Sequence, residues 1–204
     1  MTLQDQFGQI DIYLFDQLLR GRIRPGQRIL DAGCGGGRNL VYLLREGFEV
    51  YGSDADPAAV AHVRALAATL APGTPADRFR AEPMEQPSFA DGSMDVVLAN
   101  AVLHFARDHA HFDAMVDGLW HVLTPGGLLF ARLASTIGMA DRMHPLGDGR
   151  FLLPDGSERY LVDETWLMST TRRLRGSLLD PLKTTIVQDQ RCMTTWVVAK
   201  PRRD

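Results

Sequence analysis

The stretch that decides the fold is residues 29–39, which read ILDAGCGGGRN. Residues 28–32 form a short, mainly apolar run typical of a strand, and four of the five residues that follow are glycine. Glycine has no Cβ and tolerates positive φ, so this run lets the backbone turn sharply and lets a ligand approach it closely. Leu40, Leu43 and Leu44 then predict a helix. The sequence therefore predicts a strand, a glycine turn and a helix.

The same alternation continues along the chain. Residues 48–53 predict a second strand, and Asp56-Pro57 predicts the N-cap and first turn of the next helix. Strands alternating with helices are typical of a doubly wound α/β sheet, in which ligands bind beyond the carboxyl ends of the strands. Further strands are predicted at 79–81, 95–100 and 128–133, with a helix around 112–123 and a turn at 124–127.

The two ends of the chain depart from this alternation. Residues 9–20 carry an apolar stripe that predicts one amphipathic helix, and we expect residues 1–24 to form an N-terminal lid. Residues 136–162 form an inserted segment, a second part of the lid, with a hairpin around Asp155-Gly156 and a helix after it at 163–174. Residues 183–199 predict a closing hairpin with an antiparallel strand at one edge of the sheet. We expect residues 1–204 to form a single domain.

The composition and charge of the chain limit the classes of partner that it is expected to bind. The chain has 204 residues, 45% of them hydrophobic, with a formal net charge of −3 and two cysteines. This composition is typical of a globular protein and offers no basic stripe for nucleic acid, no membrane span and no disulfide framework. We expect a cytoplasmic protein without nucleic-acid or membrane partners, and the sequence leaves the oligomeric state open.

A second feature indicates the ligand of the glycine turn. Asp54 comes 21 positions after Gly33, just past the second predicted strand, where a carboxylate can accept hydrogen bonds from both ribose hydroxyls. A dinucleotide fingerprint would need a sixth-position glycine, but Arg38 stands there. Asp31 would repel a pyrophosphate, yet it could bind a cationic amino group or accept hydrogen bonds from nearby backbone donors. A positively charged nucleoside therefore fits better than NAD, although an NAD-dependent oxidoreductase stays an alternative.

These residues resemble the first motif of the class I S-adenosylmethionine-dependent methyltransferases. The resemblance continues through residues 52–54, 91–95 and 123–127 and covers about residues 28–134. It implies a Rossmann-like, mostly parallel sheet of seven strands with an antiparallel last strand. It also implies S-adenosylmethionine as cofactor and S-adenosylhomocysteine as product.

The resemblance assigns roles to particular residues. The methionine moiety would lie over the glycine turn, Asp54 would hold the ribose, and adenine would lie between Ala55 and residues 82–85. Asn100, at the end of the fourth strand, would approach the methionyl amino group or the sulfonium. One departure is Glu82-Pro83, where relatives often have an aspartate and a small residue. The expected cofactor-binding set is Asp31, Gly33, Cys34, Gly35, Gly37, Asp54, Ala55, Met84, Glu85 and Asn100.

Methyl transfer by in-line displacement to a small-molecule acceptor needs no protein nucleophile. A general base is needed only for a protonated acceptor, and His104 is the candidate, with a packing histidine as the alternative. His109 and His111 are two apart and would point in different directions on a helix, so no metal site is expected. A protein that binds S-adenosylmethionine without turnover remains the alternative function.

Overall fold

The computed structural model of the protein describes residues 2–202, in which six α-helices and eleven strands occur. The helices are α1 (Leu3–Phe7), α2 (Ile12–Leu19), α3 (Leu40–Arg45), α4 (Pro57–Leu70), α5 (His109–Val122) and α6 (Glu164–Arg173). The strands are β1 (Arg28–Ala32), β2 (Glu49–Asp54), β3 (Phe79–Ala81), β4 (Met94–Asn100), β5 (Leu123–Ala134), β6 (His144–Gly147), β7 (Arg150–Leu152), β8 (Glu158–Tyr160), β9 (Ser177–Leu178), β10 (Lys183–Val187) and β11 (Arg191–Ala199).

The main sheet has the strand order β10-β11-β5-β4-β1-β2-β3, and the short β9 pairs with β11. The pairs β5-β4, β4-β1, β1-β2 and β2-β3 are parallel, whereas β11 runs antiparallel to β5. The predicted mostly parallel sheet with an antiparallel last strand is confirmed; seven strands form its continuous order, and the two-residue β9 adds an eighth. The antiparallel strand β11 was expected at the edge of the sheet, but it lies one place inside it, between β5 and β10. The side chains of β11 are mostly buried, as suits an interior strand, whereas those of the edge strand β10 are more exposed.

Helices cover both faces of this sheet, and β1 supplies side chains to both. Leu30 of β1 packs in a cluster with Phe112 of α5 and Leu167 of α6. Ile29, on the opposite face, packs in a cluster with residues of α2, α3 and α4, including Val63. Since β1 has β2 on one side and β4 on the other, the winding direction reverses there. This reversal opens a crevice beyond the carboxyl ends of β1 and β4, where α/β proteins bind ligands.

The Pro-Gly-Gly segment is not the separate turn that the sequence predicts. It lies within β5, where the pairing with β4 jumps from Met94↔Leu123 to Val96↔Leu128. Gly126 has φ of +83° and its amide N donates to the Lys200 carbonyl oxygen over 3.0 Å. The segment is therefore a bulge held by the chain that leaves β11, which a local reading of turn residues does not reveal.

The N-terminal segment forms two short helices where one was predicted. The predicted helix of residues 9–20 starts later than expected, because the Asp11 carboxylate caps α2 by accepting from the Tyr13 N–H. The same carboxylate pairs with Arg132 of β5 at 3.0 Å, and the Asp11 N–H donates to the Asn39 side chain. These contacts fix the start of α2 against the carboxyl end of the sheet.

Residues 144–160 form a second, three-stranded antiparallel sheet, β6-β7-β8. The β7-β8 hairpin confirms the hairpin predicted around Asp155-Gly156, and α6 confirms the helix predicted after it. Tyr160 of β8 anchors this sheet: its ring stacks on Phe112, and its hydroxyl lies 2.7 Å from His109 Nδ1. None of the helices in residues 2–202 combines the length and the apolar character that crossing a bilayer would need.

Candidate functional site

The glycine turn joins β1 to the chain ahead of α3. Gly33, Gly35 and Gly37 all have positive φ, at +73°, +50° and +73°. A Cβ at Gly33 would lie 2.5 Å from Val102 Cγ2, and one at Gly37 would lie 2.9 Å from Leu66 Cδ2. Glycine is thus favoured at both positions by the positive φ, and packing against Val102 also requires it at Gly33.

Cys34 shapes this turn with its backbone while its side chain packs in the core. The Gly33 and Cys34 N–H groups both donate to the Ser53 carbonyl of β2, over 2.8 and 3.0 Å, and the Gly37 N–H donates to the Cys34 carbonyl over 2.8 Å. The thiol is buried in the cluster formed with α3 and α4, and burial raises its pKa. The thiol is therefore unreactive. Any contact between Cys34 and a ligand would be made by its main-chain atoms.

Asp54 ends β2 beside the glycine turn, as predicted. Its Oδ2 accepts from the Gly35 N–H at 2.8 Å and its Oδ1 accepts from the Asp56 N–H at 2.9 Å. Each carboxylate oxygen can accept a second hydrogen bond, so two positions remain for ligand hydroxyls. The helix-capping role falls to Asp56, whose carboxylate accepts from the Ala58 N–H. Asp54 is therefore available to a ligand.

Two buried polar atoms at the ends of β1 and β4 lack partners within residues 2–202. Asp31 is 1% exposed and its Oδ1 has no hydrogen bond. Asn100 Nδ2 is also buried without a partner, while Asn100 Oδ1 accepts from Arg38 over 2.9 Å. Burial raises the pKa of Asp31 to about 7, opposed by the nearby charge of Arg38 and reinforced by that of Asp54. Asp31 Oδ1 is thus a buried acceptor and Asn100 Nδ2 a buried donor, each without a partner among the described residues. Together they suit a ligand that carries both an ammonium group and a carboxylate.

A cavity of about 330 Å³ opens next to the turn, and we call it the glycine-turn cavity. Five predicted residues line it: Gly33, Asp54, Ala55, Met84 and Glu85. Asp31, Gly35, Gly37 and Asn100 are not among its lining residues and belong to the turn and the strand ends beside it. Sequence reasoning missed five further lining residues: Val102, Phe105, Arg107, His111 and Met115.

The Glu85 carboxylate is held by His111 at one wall of this cavity. His111 Nδ1 accepts from the Arg107 N–H over 3.1 Å, so Nε2 carries the proton and donates to Glu85 Oε1 over 3.2 Å. His109 instead contacts the Tyr160 hydroxyl. The two histidines thus serve different structural contacts, and the residues the structure describes hold no cluster of three or more metal-ligating side chains.

A second cavity, of about 310 Å³, lies beyond the carboxyl ends of β4 and β5, and we call it the arginine cavity. Its lining includes four arginines: Arg38 from the chain between the glycine turn and α3, Arg132 of β5, Arg159 of β8 and Arg191 of β11. The Arg38–Asn100 hydrogen bond lies at its border with the glycine turn. Its other lining residues are Ala101, His104, Ala134, Leu153, Asp155, Ser157, Val187 and Met193.

The backbone is strained where β4 enters the arginine cavity. Ala101 has φ of +61°, a conformation that costs a residue with a Cβ about 1 kcal/mol or more. Its N–H donates to the Arg132 carbonyl over 2.7 Å, which holds the chain in this conformation. Strain of this kind is concentrated at functional sites.

His104 lines the arginine cavity but is a weak base there. It is 8% exposed, and burial, with a smaller contribution from the charge of Arg159, lowers its pKa to about 4. Its Nδ1 accepts a long hydrogen bond of 3.4 Å from the Ala134 N–H, which leaves the ring proton on Nε2. At neutral pH this imidazole donates a hydrogen bond and accepts protons poorly, so the geometry favours hydrogen bonding over the general-base role expected from the sequence.

Comparisons with known proteins agree with this geometry. Residues 30–131 match the model of a family described as a methyltransferase domain. The chain is 35% identical over 108 residues to an uncharacterized methyltransferase of Synechocystis sp., covering 52% of this chain and 46% of that protein. It is 30% identical over 171 residues to a ubiquinone biosynthesis O-methyltransferase of Chelativorans sp., covering 77% of this chain and 64% of that protein. The chain therefore spans between about half and two thirds of the length of these relatives.

Solved structures agree on the fold. A structure described as an S-adenosylmethionine-dependent methyltransferase from Methanosarcina mazei superposes with a TM-score of 0.72 at 21% identity, covering 91% of this chain and 98% of that one. The Burkholderia thailandensis 1,6-didemethyltoxoflavin-N1-methyltransferase, solved with 1,6-didemethyltoxoflavin and S-adenosylhomocysteine, superposes with a TM-score of 0.69 at 19% identity, covering 92% and 76%. At these identities the likeness establishes the architecture.

Proposed function

This chain belongs to the methyltransferase-domain family, and we propose that it transfers a methyl group from S-adenosylmethionine to a small-molecule acceptor, releasing S-adenosylhomocysteine. The single observation that carries this proposal is the buried carboxylate of Asp31, unpartnered at Oδ1 beside the glycine turn. A buried anion is unfavourable without a cationic partner. S-adenosylmethionine supplies one in its amino group, whereas NAD would place a pyrophosphate there.

The residues around the turn fit the parts of this cofactor. Asp54 would accept from the ribose hydroxyls, Asp31 would accept from the amino group, and Asn100 Nδ2 would donate to the carboxylate. Adenine would lie in the glycine-turn cavity between Ala55 and the Met84-Glu85 segment. The cavity volume of about 330 Å³ is in the range of small-molecule sites.

The bound cofactor supplies an electrophilic methyl group on its sulfonium. The chain itself has to hold the acceptor in line with that methyl group and keep water away. The arginine cavity would hold the acceptor, because it adjoins the glycine turn across the Arg38–Asn100 hydrogen bond. Holding two reactants in this alignment lowers a barrier by on the order of 7–11 kcal/mol.

A small acceptor suits the size of the arginine cavity, about 310 Å³. Two of the similar proteins are named for methylation of small molecules, in ubiquinone biosynthesis and on 1,6-didemethyltoxoflavin. We assign the lid over the acceptor to residues 136–162, whose β7-β8 hairpin supplies Leu153 and Arg159 to the cavity wall, and to residues 2–24, whose Asp11 pairs with Arg132. Residue 1 of the predicted lid segment 1–24 lies outside the described residues.

A thermal-shift comparison tests the cofactor. S-adenosylhomocysteine at 100 times its Kd should add about 2.7 kcal/mol of stability, or roughly 5–10 °C for a domain of this size, and NAD should add none. A shift with NAD alone would overturn the proposal. Incubation with methyl-labelled S-adenosylmethionine and a panel of metabolites then tests turnover. Tight cofactor binding with no labelled product across a broad panel would favour the binding protein over the enzyme.

A further inference from the structure

We propose that the acceptor is a small organic molecule with an oxyanion group, such as a carboxylate, bound by Arg159 and Arg191 with His104 donating a hydrogen bond. This inference rests on the proposed function, because it treats the arginine cavity as the acceptor site. It goes further in naming the charge and the chemistry that the acceptor must carry.

The first support is the concentration of positive charge in a chain whose formal net charge is −3. Four arginines line this one cavity, with Asp155 as the single acidic lining residue. Three of the arginines have polar partners outside the lining. Arg132 pairs with Asp11, Arg38 with Asn100, and Arg159 Nη1 donates to the uncharged Glu158 carbonyl over 2.7 Å. Arg159 and Arg191 face the cavity from the lid and from β11, and one carboxylate does not balance two guanidinium groups.

The second support is the way Asp155 is held. Its Oδ1 accepts from the Ser157 N–H at 2.9 Å and from the Ser157 hydroxyl at 2.6 Å. These bonds fix the carboxylate in the β7-β8 turn and, with the charges of Arg191 and Arg159, lower its pKa. Asp155 is exposed at the rim, and among the described residues no salt bridge joins it to Arg159 or Arg191, so both guanidinium groups can pair with an anion from solution.

The third support is a set of hydrogen-bond donors on residues that line this one cavity. Arg132 Nε is buried without a hydrogen-bond partner among the described residues, although its Nη1 is paired with Asp11. His104 presents an N–H at Nε2 because its Nδ1 is occupied by the Ala134 N–H. Guanidinium and imidazole N–H donors without a matching acceptor are the usual recognition set for a carboxylate or phosphate. The buried part of the cavity therefore presents hydrogen-bond donors to a bound anion rather than a base.

The chemistry of the transfer is consistent with this lining. An oxyanion is already deprotonated, so its oxygen can form the new bond to the methyl carbon while the sulfur keeps the electron pair of the bond that breaks. No proton then has to be removed, and a neutral His104 suffices. Where the oxyanion serves only to hold the molecule, the same arginines would still fix it opposite the methyl group.

Binding measurements test the proposal without requiring the natural acceptor. Isothermal titration of the chain, with and without S-adenosylhomocysteine, would compare benzoate with its neutral analogue benzamide and with inorganic phosphate. We expect benzoate to bind at least tenfold more tightly than benzamide. The Arg159→Gln/Arg191→Gln variant should lose at least tenfold in benzoate affinity, and Arg191→Gln alone, at an exposed position, about threefold. Phosphate binding as tight as that of benzoate would also support an oxyanion site, with little selection for an organic body.

The matched control is Arg172→Gln/Arg175→Gln, which removes the same charge from exposed positions outside the cavity and outside both lid segments. It should leave benzoate affinity within twofold. Equal affinity for benzoate and benzamide, no binding of either anion, or full benzoate affinity in the cavity variant would overturn the proposal. Absence of S-adenosylhomocysteine binding would instead count against the proposed function, since the anion titration without cofactor is independent of it.

Discussion

The guanidinium carbon of Arg159 lies 5.1 Å from the centre of the Phe105 ring. Phe105 lines the glycine-turn cavity and Arg159 lines the arginine cavity, so this contact joins the two. The His104 ring lies 4.7 Å from the Phe105 ring on the same short 3-10 helix, Leu103–Phe105. The walls of the two cavities are therefore in direct contact, through Phe105 of the glycine-turn cavity and Arg159 and His104 of the arginine cavity.

Phe105→Ala should weaken cofactor binding. Removing the ring takes away part of the cavity wall, and losing about 1 kcal/mol of apolar contact with the ligand should lower S-adenosylhomocysteine affinity roughly fivefold by isothermal titration. Phe105→Leu keeps an apolar wall and should lose less. An affinity for S-adenosylhomocysteine that is unchanged in Phe105→Ala would show that this wall does not touch the cofactor.

Asp54→Ala should nearly abolish cofactor binding. Two charge-assisted hydrogen bonds to a ribose, at about 1.5 kcal/mol each, correspond to a loss of roughly 100-fold in S-adenosylhomocysteine affinity. Asp56→Ala is the matched control two residues away: it should lose about 1 kcal/mol of stability with the α4 cap and keep its affinity. Equal affinities in the two variants would refute the ribose assignment.

Asp31 should make the free protein less stable as the pH rises. Its pKa is about 7 when folded and near 3.8 when unfolded, so between these values the unfolded chain has released a proton that the folded chain keeps. The stability contribution is complete below the unfolded pKa and falls by about 1.4 kcal/mol per pH unit until the pH passes 7. The free energy of unfolding of Asp31→Asn should therefore rise by about 2 kcal/mol relative to that of the natural chain between pH 5 and pH 7 in urea unfolding. Parallel pH profiles of the two proteins would contradict this.

The Asp11–Arg132 pair should contribute strongly to stability. Asp11→Asn keeps a good N-cap for α2 but removes the charge, which leaves a largely buried guanidinium without its anion and should cost about 3 kcal/mol in urea unfolding. Asp5→Asn changes the exposed cap of α1 and should cost less than about 1 kcal/mol. If both variants lost the same small amount, α2 would not depend on this pair.

His104 should stay neutral and keep one tautomer across the working pH range. With a pKa of about 4, its ring nitrogens should not titrate above pH 5.5 in nitrogen-15 NMR spectra, and the Nδ1 shift should indicate an unprotonated nitrogen. His104→Gln identifies the signal by its loss. A midpoint between pH 6 and pH 7 would restore the general-base hypothesis.

Much of the candidate site could be predicted because it is local in sequence. The glycines of residues 33–37 and the carboxylate of Asp54 follow the ends of adjacent strands, so the fold class alone places them together. His104 was expected near the crevice for the same reason, but its low pKa depends on burial and on Arg159, 55 positions further along the chain. Phe105, Met115 and His111 carried no signal, since apolar and histidine side chains on a 3-10 helix and on α5 look like ordinary packing residues.

The sequence by itself determined the alternation of strands and helices, the glycine turn and the acid that follows β2, because periodicity, positive φ and capping are short-range properties of the chain. Only the tertiary structure decided the arginine cavity. Arg38, Arg132, Arg159 and Arg191 are scattered over more than 150 positions and belong to separate elements. Their convergence depends on strand order, on the insertion of β11 beside β5 and on the packing of the β6-β7-β8 sheet. These long-range pairings set the charge of the cavity, and no local pattern specifies them.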